Sequence, residues 1–262
     1  MKYKLVALDL DGTLLDSGGQ VSDKHIEAVK KAHKAGVHVV IATGRYPMQT
    51  ERIIQTLDFD GIVVSNEGAI TFKSKTKEII QQYSYTVDDI APLIDSCRRN
   101  GVHFSLTTAF EHYVEFMSPQ QIDKYIQYEI QHTLHDDVMK LQEPVMKLTI
   151  DDEKRANGWQ HFVPPSSIKL RADYDHFKEY VHQQSSKTNG LRKVLEYYSV
   201  HPSEVIAIGD YYNDLDMIEY AGLGIAMGNS PDEVKAKAGD VTGTNDEDGV
   251  YYALEKHLYG RS

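Results

Sequence analysis

The sequence predicts an α/β protein: a doubly wound parallel sheet interrupted by an inserted α+β domain. Three observations carry that expectation. Short, wholly apolar runs alternate with helical patterns up to about residue 80, and the same alternation returns after about residue 187. Between those stretches the pattern changes to helices accompanied by paired strand-like runs. Strand–helix–strand repetition implies parallel pairing with helices on both faces, whereas helices beside hairpin-like strands imply an antiparallel sheet covered by helices. The expected boundaries are 1–82 and 187–262 for the two parts of the core and 83–186 for the insert. A chain of 262 residues is long enough to bury a core in each.

Leu5-Val6-Ala7-Leu8, Val37-His38-Val39-Val40-Ile41-Ala42 and Ile62-Val63-Val64 read as buried strands bounded by turn residues. Ser22 can cap a helix running to about Ala35, with Gly36 at its end. Pro47 stands where the first turn of a second helix accepts proline. In the insert, Val87, Ile90, Ala91, Ile94 and Cys97 share one face of a helix over 87–99. Strand-like runs at 102–108 and 112–116 follow, turning near Phe110-Glu111. Ile122, Ile126, Ile130 and Leu134, four apart, predict a helix over 118–135. A strand at 145–150, a short helix near 153–162 and strands at 167–173 and 176–182 complete the insert. Val205-Ile206-Ala207-Ile208 and Leu223-Gly224-Ile225-Ala226-Met227 are the strands of the resumed core. Ser230-Pro231-Asp232-Glu233 reads as a capping box with proline at the first helical position.

With 41 % apolar and 26 % charged residues the composition is that of a globular chain. Lys and Arg number 28 against 39 acids, a net charge of −11, which argues against nucleic acid as the partner. A single cysteine, Cys97, excludes an internal disulfide and a cysteine-rich zinc site. The first apolar run stops at Asp9, too short for a signal-peptide core. No stretch approaches the ~20 apolar residues of a membrane helix. A soluble, cytoplasmic protein is expected, with no membrane partner and its oligomeric state open.

Asp9-Leu10-Asp11-Gly12-Thr13 directly follows the first buried strand. In open parallel sheets ligand chemistry gathers beyond the carboxyl ends of strands. Two carboxylates at i and i+2 there can serve as a nucleophile and a general acid/base. A calcium loop counted from Asp9 needs glycine at its sixth place and glutamate at its twelfth; Leu14 and Gln20 stand there. Gly209-Asp210-Tyr211-Tyr212-Asn213-Asp214 follows the strand at 205–208 and fails the same count, with Leu215 and Ala221. Asp210 or Asn213 could cap the next helix. Paired with the first cluster, these acids read instead as ligands of a hard cation such as magnesium.

Ala42-Thr43-Gly44-Arg45 suits either an anion-binding strand end or a plain β-to-α turn. Arg45 can contact a phosphate or pair with a nearby acid. Lys187, in Ser185-Ser186-Lys187-Thr188-Asn189-Gly190, is not part of a P-loop, because Val181 and Ser186 stand where that motif needs glycine. The dinucleotide fingerprint also fails, with Gly228 one place late after Gly222-Leu223-Gly224.

In order, Asp9/Asp11, Thr43, Lys187 and Asp210/Asn213/Asp214 resemble the four motifs of the haloacid dehalogenase-like superfamily. The chain is most similar to its Cof-type phosphatases, whose large α/β cap is inserted between the second and third motifs. The resemblance spans the whole chain and extends to Ala221-Gly222-Leu223-Gly224-Ile225-Ala226-Met227-Gly228-Asn229. One departure is Ser65-Asn66-Glu67-Gly68-Ala69: the family more often has Asn-Gly-Ala, so Glu67 is an added residue in a loop near the site.

The resemblance implies a Rossmann-like core and a magnesium-dependent phosphatase acting on small phosphomonoesters such as sugar phosphates, pyridoxal phosphate or FMN. It implies that Asp9 attacks phosphorus to give an aspartyl-phosphate, and that Asp11 protonates the leaving alcohol and later deprotonates water. Asp9, Asp11 (through its backbone carbonyl), Asp210 and Asp214 would hold Mg2+. Asn213 would support that shell and the phosphate, and Leu10, Thr43, Gly44 and Lys187 would contact phosphoryl oxygens. One unit of charge repulsion at 4 Å amounts to about 4 kcal/mol at an effective dielectric near 20, which is the load the cation and Lys187 must offset.

The alternatives are a phosphotransferase or phosphomutase of the same superfamily and a non-catalytic phosphometabolite-binding module. Tyr113, Tyr125, Tyr128, His112, Trp159, Arg171 and Tyr174 are candidate cap pocket residues, each with packing as the simpler role. His132 and His135 read as surface histidines on the helix over 118–135.

Overall fold

A computed structural model of the protein describes residues 2–152, 162–174 and 176–261. The chain divides into two compact units: Met1–Arg45, Thr50–Gln81 and Ser186–Ser262 form the first, Tyr46–Gln49 and Gln82–Ser185 the second.

From the N-terminus the chain forms β1 (Leu5–Leu8), α1 (Asp23–Lys34), β2 (His38–Ala42), α2 (Pro47–Leu57), β3 (Ile62–Ser65), β4 (Ile70–Lys73) and β5 (Ile79–Gln82), all in the first unit except the first three residues of α2 and the last of β5. Every residue of β1 is buried, as a central strand covered on both faces requires. Ser22 caps α1 by accepting from the His25 N–H at 3.1 Å, worth about 1 kcal/mol. Pro47 opens α2, where its missing N–H costs nothing.

The second unit holds α3 (Ala91–Asn100), β6 (His103–Thr107), β7 (His112–Val114), α4 (Pro119–Gln127), β8 (Thr133–Leu134), β9 (Lys147–Asp151), β10 (Ile168–Tyr174) and β11 (Phe177–His182). The chain then returns to the first unit with α5 (Lys187–Tyr198), β12 (Val205–Gly209), α6 (Leu215–Tyr220), β13 (Leu223–Ala226), α7 (Asp232–Lys237), β14 (Asp240–Val241) and α8 (Gly249–Tyr259).

The eight strands of the first unit run in the order β14-β13-β12-β1-β2-β3-β4-β5. Pairing is parallel from β14 to β3, and β4 joins β3 antiparallel. The chain therefore winds outward from β1 in both directions, and the crevice beside β1 is the switch point where such sheets bind ligands. In the second unit β10-β11-β9-β6-β7-β8 form a mixed sheet, antiparallel except for the β7–β8 pair. Its core packs Ile90, Leu93, Ile94 and Cys97 against Phe104, Leu106, Leu148 and Ile150. The fold class is therefore the predicted one, an α/β core with an α+β insert.

Four local expectations fail. The helix over 118–135 stops at Gln127, because Glu129 takes a left-handed φ of +50° and the chain turns into β8. Its buried side is Gln121 and Tyr125, while Ile122, Ile126 and Leu134 are exposed. His132 and His135 consequently lie outside any helix, flanking β8. The segment 87–99 is a 3-10 turn followed by α3, since Pro92 has no N–H to donate in a continuous helix. At 230–233 there is no capping box. Pro231 is the N-cap of α7, and the Ser230 N–H instead closes a turn on the Met227 carbonyl at 3.1 Å. The β4–β5 extension carries no turn dipeptide to announce it. The expected helix near 153–162 and Trp159 lie outside the described residues.

Candidate active site

β1 and β12 are neighbours, so the residues following each emerge side by side at the carboxyl edge of the sheet. The Asp9 N–H continues that pairing, donating to the Ile208 carbonyl at 3.0 Å. Its carboxylate is buried and accepts from Lys187 Nζ at 2.6 Å. Lys187 is the first residue of α5, where Ser186 caps the helix by accepting from the Asn189 N–H. A cation at a helix N-terminus opposes the helix dipole, so its place there depends on the carboxylates around it. The second is Asp214, whose Oδ1 accepts from Nζ at 2.7 Å. Asp214 Oδ2 accepts from the N–H groups of Asp210 and Tyr211 at 3.1 and 3.2 Å, which fixes the loop after β12.

Among the described residues Asp9, Asp210 and Asp214 each offer a carboxylate oxygen, and these oxygens lie within 4.8 Å of one another. Burial, and then the Asp214 charge, raises the Asp9 carboxyl well above the usual range despite Lys187. The same two causes push Asp210 up to about 6. For Lys187 burial pulls the ammonium down, but the charges of Asp9, Asp214 and Glu67 outweigh it and hold the group protonated. One lysine does not neutralise this many acids. The strain falls on carboxylates, which are hard oxygen donors, so the residues fit a divalent cation such as magnesium. A Cβ on Gly12 would lie 2.4 Å from Asp210 Oδ2, so the loop after β1 presses directly on this cluster.

Asp11 is placed differently. Its side chain is 59 % exposed and is gripped by Arg45, with Nε at 2.9 Å from Oδ2 and Nη2 at 2.6 Å from Oδ1. Of the two roles open to Arg45, the structure has it in an ion pair. Leu10 is buried, and its carbonyl accepts from the Thr13 and Leu15 N–H groups at 3.2 and 2.9 Å. Thr43 is buried beyond β2, its hydroxyl accepting from the Arg45 N–H at 3.1 Å. Asn213 Nδ2 donates to Glu67 at 3.2 and 3.4 Å.

Sequence reasoning passed over three participants. Thr13 Oγ1 donates to Asp210 Oδ1 at 3.4 Å, and Asn229 Nδ2 donates to the Gly12 carbonyl at 2.8 Å and to Asp210 Oδ2 at 3.3 Å. Thr13 and Asn229 end the motifs Asp9–Thr13 and Ala221–Asn229, so only their contacts were hidden. Glu67 was visible as an odd residue but not as a member of the site.

The loop carrying Glu67 is tightly built. Asn66, Glu67 and Gly68 all have φ between +51° and +77°. A Cβ on Gly68 would lie 1.9 Å from the Ser186 carbonyl oxygen, a backbone atom that cannot turn aside. Gly68→Ala is therefore expected to cost about 2–4 kcal/mol, combining left-handed strain with overpacking. It should also lower turnover by shifting Ser186 and Lys187. Thermal melts and initial rates check this, and wild-type values in both would contradict it.

The second unit contains its own cavity of about 210 Å3, with His103, His112, Tyr125, Lys124, Lys147 and Asp151 in its walls. Tyr125 Oη lies 3.2 and 3.1 Å from Nε2 of His103 and of His112. Burial lowers both imidazoles, His112 to about 3, so both are neutral near pH 7. Lys124 pairs with Asp151, and Lys147 with Glu179 at 3.2 Å. Of the candidate pocket residues, Tyr125 and His112 line this cavity. Tyr128 and Tyr174 are exposed, Arg171 pairs with Glu179 at 2.6 Å, and Tyr113 Oη donates to Glu143 at 3.2 Å.

Residues 6–254 match the haloacid dehalogenase-like hydrolase family. The 5-amino-6-(5-phospho-D-ribitylamino)uracil phosphatase YitU of Bacillus subtilis is 30 % identical over 265 residues, covering 98 % of each chain. Phosphatase YwpJ of the same organism is 27 % identical over 290 residues, covering 97 % of this chain and 99 % of its own. The crystal structure of a haloacid dehalogenase-like hydrolase from Bacteroides thetaiotaomicron superposes with a TM-score of 0.84 at 30 % identity, covering 97 % of this chain and 99 % of that one. No helix among the described residues is long and apolar enough to cross a membrane. A match over nearly the whole chain, with phosphatases among its full-length relatives, places this protein among the haloacid dehalogenase-like hydrolases as a phosphatase of the Cof type.

Proposed function

We propose that the protein is a magnesium-dependent phosphomonoesterase working through an aspartyl-phosphate on Asp9. The observation that carries the reading is the buried Asp9 carboxylate, held by Lys187 at 2.6 Å beside Asp210 and Asp214. A nucleophile must present an oriented oxygen, and Lys187 fixes one Asp9 oxygen, leaving the other to address phosphorus.

Asp9, Asp210, Asp214 and the backbone carbonyl of Asp11 are the groups that would hold magnesium. When bound, the cation supplies charge neutralisation between the attacking carboxylate and the phosphate dianion. Lys187, the Thr43 hydroxyl and the N–H groups after β1 and β2 act on the phosphoryl oxygens as charge redistributes toward the transition state. Asp11, exposed and carried by Arg45, serves as the acid that protonates the departing alcohol. It then serves as the base that takes a proton from water. Arg45 is thus the group that steers Asp11.

The substrate is a small phosphorylated metabolite. YitU is named for a phosphorylated ribityl compound, and we extend that chemistry to this chain only as far as a small phosphomonoester.

The test is inorganic phosphate release from a panel of phosphomonoesters, with magnesium and with EDTA. Release that disappears with EDTA and returns with added magnesium is expected. Isomerised sugar phosphate without net phosphate release would favour phosphotransfer, and no reaction by folded protein would favour a binding module.

A further inference from the structure

Glu67 brings a carboxylate where the proposed chemistry needs donors to an anion. It is 7 % exposed, and it follows Asn66 in a left-handed conformation that L-residues avoid without compensation. Both carboxylate oxygens accept from Asn213 Nδ2, at 3.2 and 3.4 Å. A Cβ on Gly44 would lie 2.4 Å from Glu67 Oε1, so that oxygen rests against the backbone of the loop after β2. The Glu67 charge also bears on the Lys187 ammonium. Gly44, Asn213 and Lys187 are three of the groups proposed to meet the phosphoryl oxygens. A carboxylate is the side chain closest to phosphate in charge and in acceptor geometry.

We propose that the Glu67 carboxylate is an internal competitor for the phosphoryl-binding groups and so sets the affinity of the site for phosphate. The ester's phosphoryl group enters by displacing it from Asn213 and Gly44, and Glu67 returns as inorganic phosphate leaves. The site thereby holds both phosphate and phosphomonoesters more weakly than its donors alone would. The inference rests on the phosphomonoesterase reading, and it concerns affinity, which is measurable without turnover.

The experiment measures inorganic phosphate binding to the full chain with saturating magnesium, by calorimetry, for wild type, Glu67→Gln and Glu67→Gly. Glutamine keeps the shape and an acceptor for Asn213 but removes the charge. Glycine removes the side chain and suits the positive φ, so it guards against a folding defect. The expected result is phosphate binding tighter by about tenfold in both variants, roughly 1.4 kcal/mol. KM should fall in parallel for every phosphomonoester, and product inhibition should be stronger. Phosphate affinity that is unchanged or weaker in both folded variants would overturn the proposal, because it would make Glu67 a prop for Asn213 or a contributor to binding. If wild type binds phosphate but hydrolyses no phosphomonoester, the phosphomonoesterase reading fails while the affinity comparison still decides the role of Glu67.

Discussion

Asp9→Asn is expected to reduce turnover by at least about 10^4-fold while leaving the protein folded. Losing a nucleophile in a site that retains its binding groups leaves only background rates, and single nucleophile losses elsewhere reach about 10^6-fold. The fold should survive for an electrostatic reason. The Asp9 carboxyl is raised by burial and by Asp214, so its charged form is disfavoured in the folded state relative to the unfolded chain. A carboxyl with a raised folded pKa lends its stability below the unfolded value near pH 4 and loses it as pH rises through the folded value. Near pH 7 the asparagine variant is free of that penalty and still presents an oxygen to Lys187. Without added metal, its melting temperature should equal or exceed that of wild type. A variant that keeps near-wild-type turnover would remove Asp9 from the role of nucleophile.

Lys187→Met is expected to damage both stability and rate. Lys187 is 2 % exposed, and the two carboxylates it joins, Asp9 and Asp214, are also buried. Methionine keeps the length of the stem and deletes the charge. Breaking a buried pair by removing one partner costs about 3–5 kcal/mol, because the acids left behind must stay charged in a poorly solvated place or take up a proton. The loss should therefore be largest near pH 7 and shrink toward pH 5 as the Asp9 carboxyl, already raised by burial, takes up a proton. Added magnesium should also reduce it, since the cation replaces the missing positive charge. Turnover with magnesium should fall by about 10^2–10^3, the usual cost of one electrostatic donor to a developing oxyanion. Urea titrations at the two pH values and rates at saturating magnesium read both effects. A loss of stability that does not depend on pH would point to packing, and not charge, as the role of Lys187.

How much of this was legible in the sequence depended on what kind of signal each feature leaves. β1, β3 and β12 are buried throughout, so each is an apolar run closed by a polar or glycine residue, and β2 and β13 keep that pattern apart from half-buried His38 and Leu223 and from Gly224. The acids that follow β1 and β12 inherit their positions from those strands, which is why the sequence alone sets Asp9 and Asp210 beside each other. Lys187 was less visible, since a lysine opening a helix is ordinarily a surface residue.

The insert was harder to read. Isoleucine at every fourth position suggested one long helix, but Ile122 and Ile126 are on the outer side of α4. Tyr125 shares the buried side of that helix with Gln121, and its hydroxyl can be buried because His103 and His112 supply partners for it. A pattern of apolar residues does not reveal a polar anchor of this kind. Glu67 was hidden for another reason. Three successive positive φ values decide where its side chain points, and Gly68, the last of the three, packs on Ser186, far away in sequence.

The measurement that tests the central claim most directly is chemical trapping of the covalent intermediate. The enzyme is mixed with a good phosphomonoester and magnesium, quenched in acid within one turnover, reduced with borohydride and digested for mass spectrometry. An aspartyl-phosphate is reduced to homoserine, so the account predicts homoserine at position 9 in wild type and none at that position in Asp9→Asn. Homoserine at Asp11, Asp210 or Asp214 would contradict the assignment of Asp9. So would complete turnover that leaves every carboxylate unmodified.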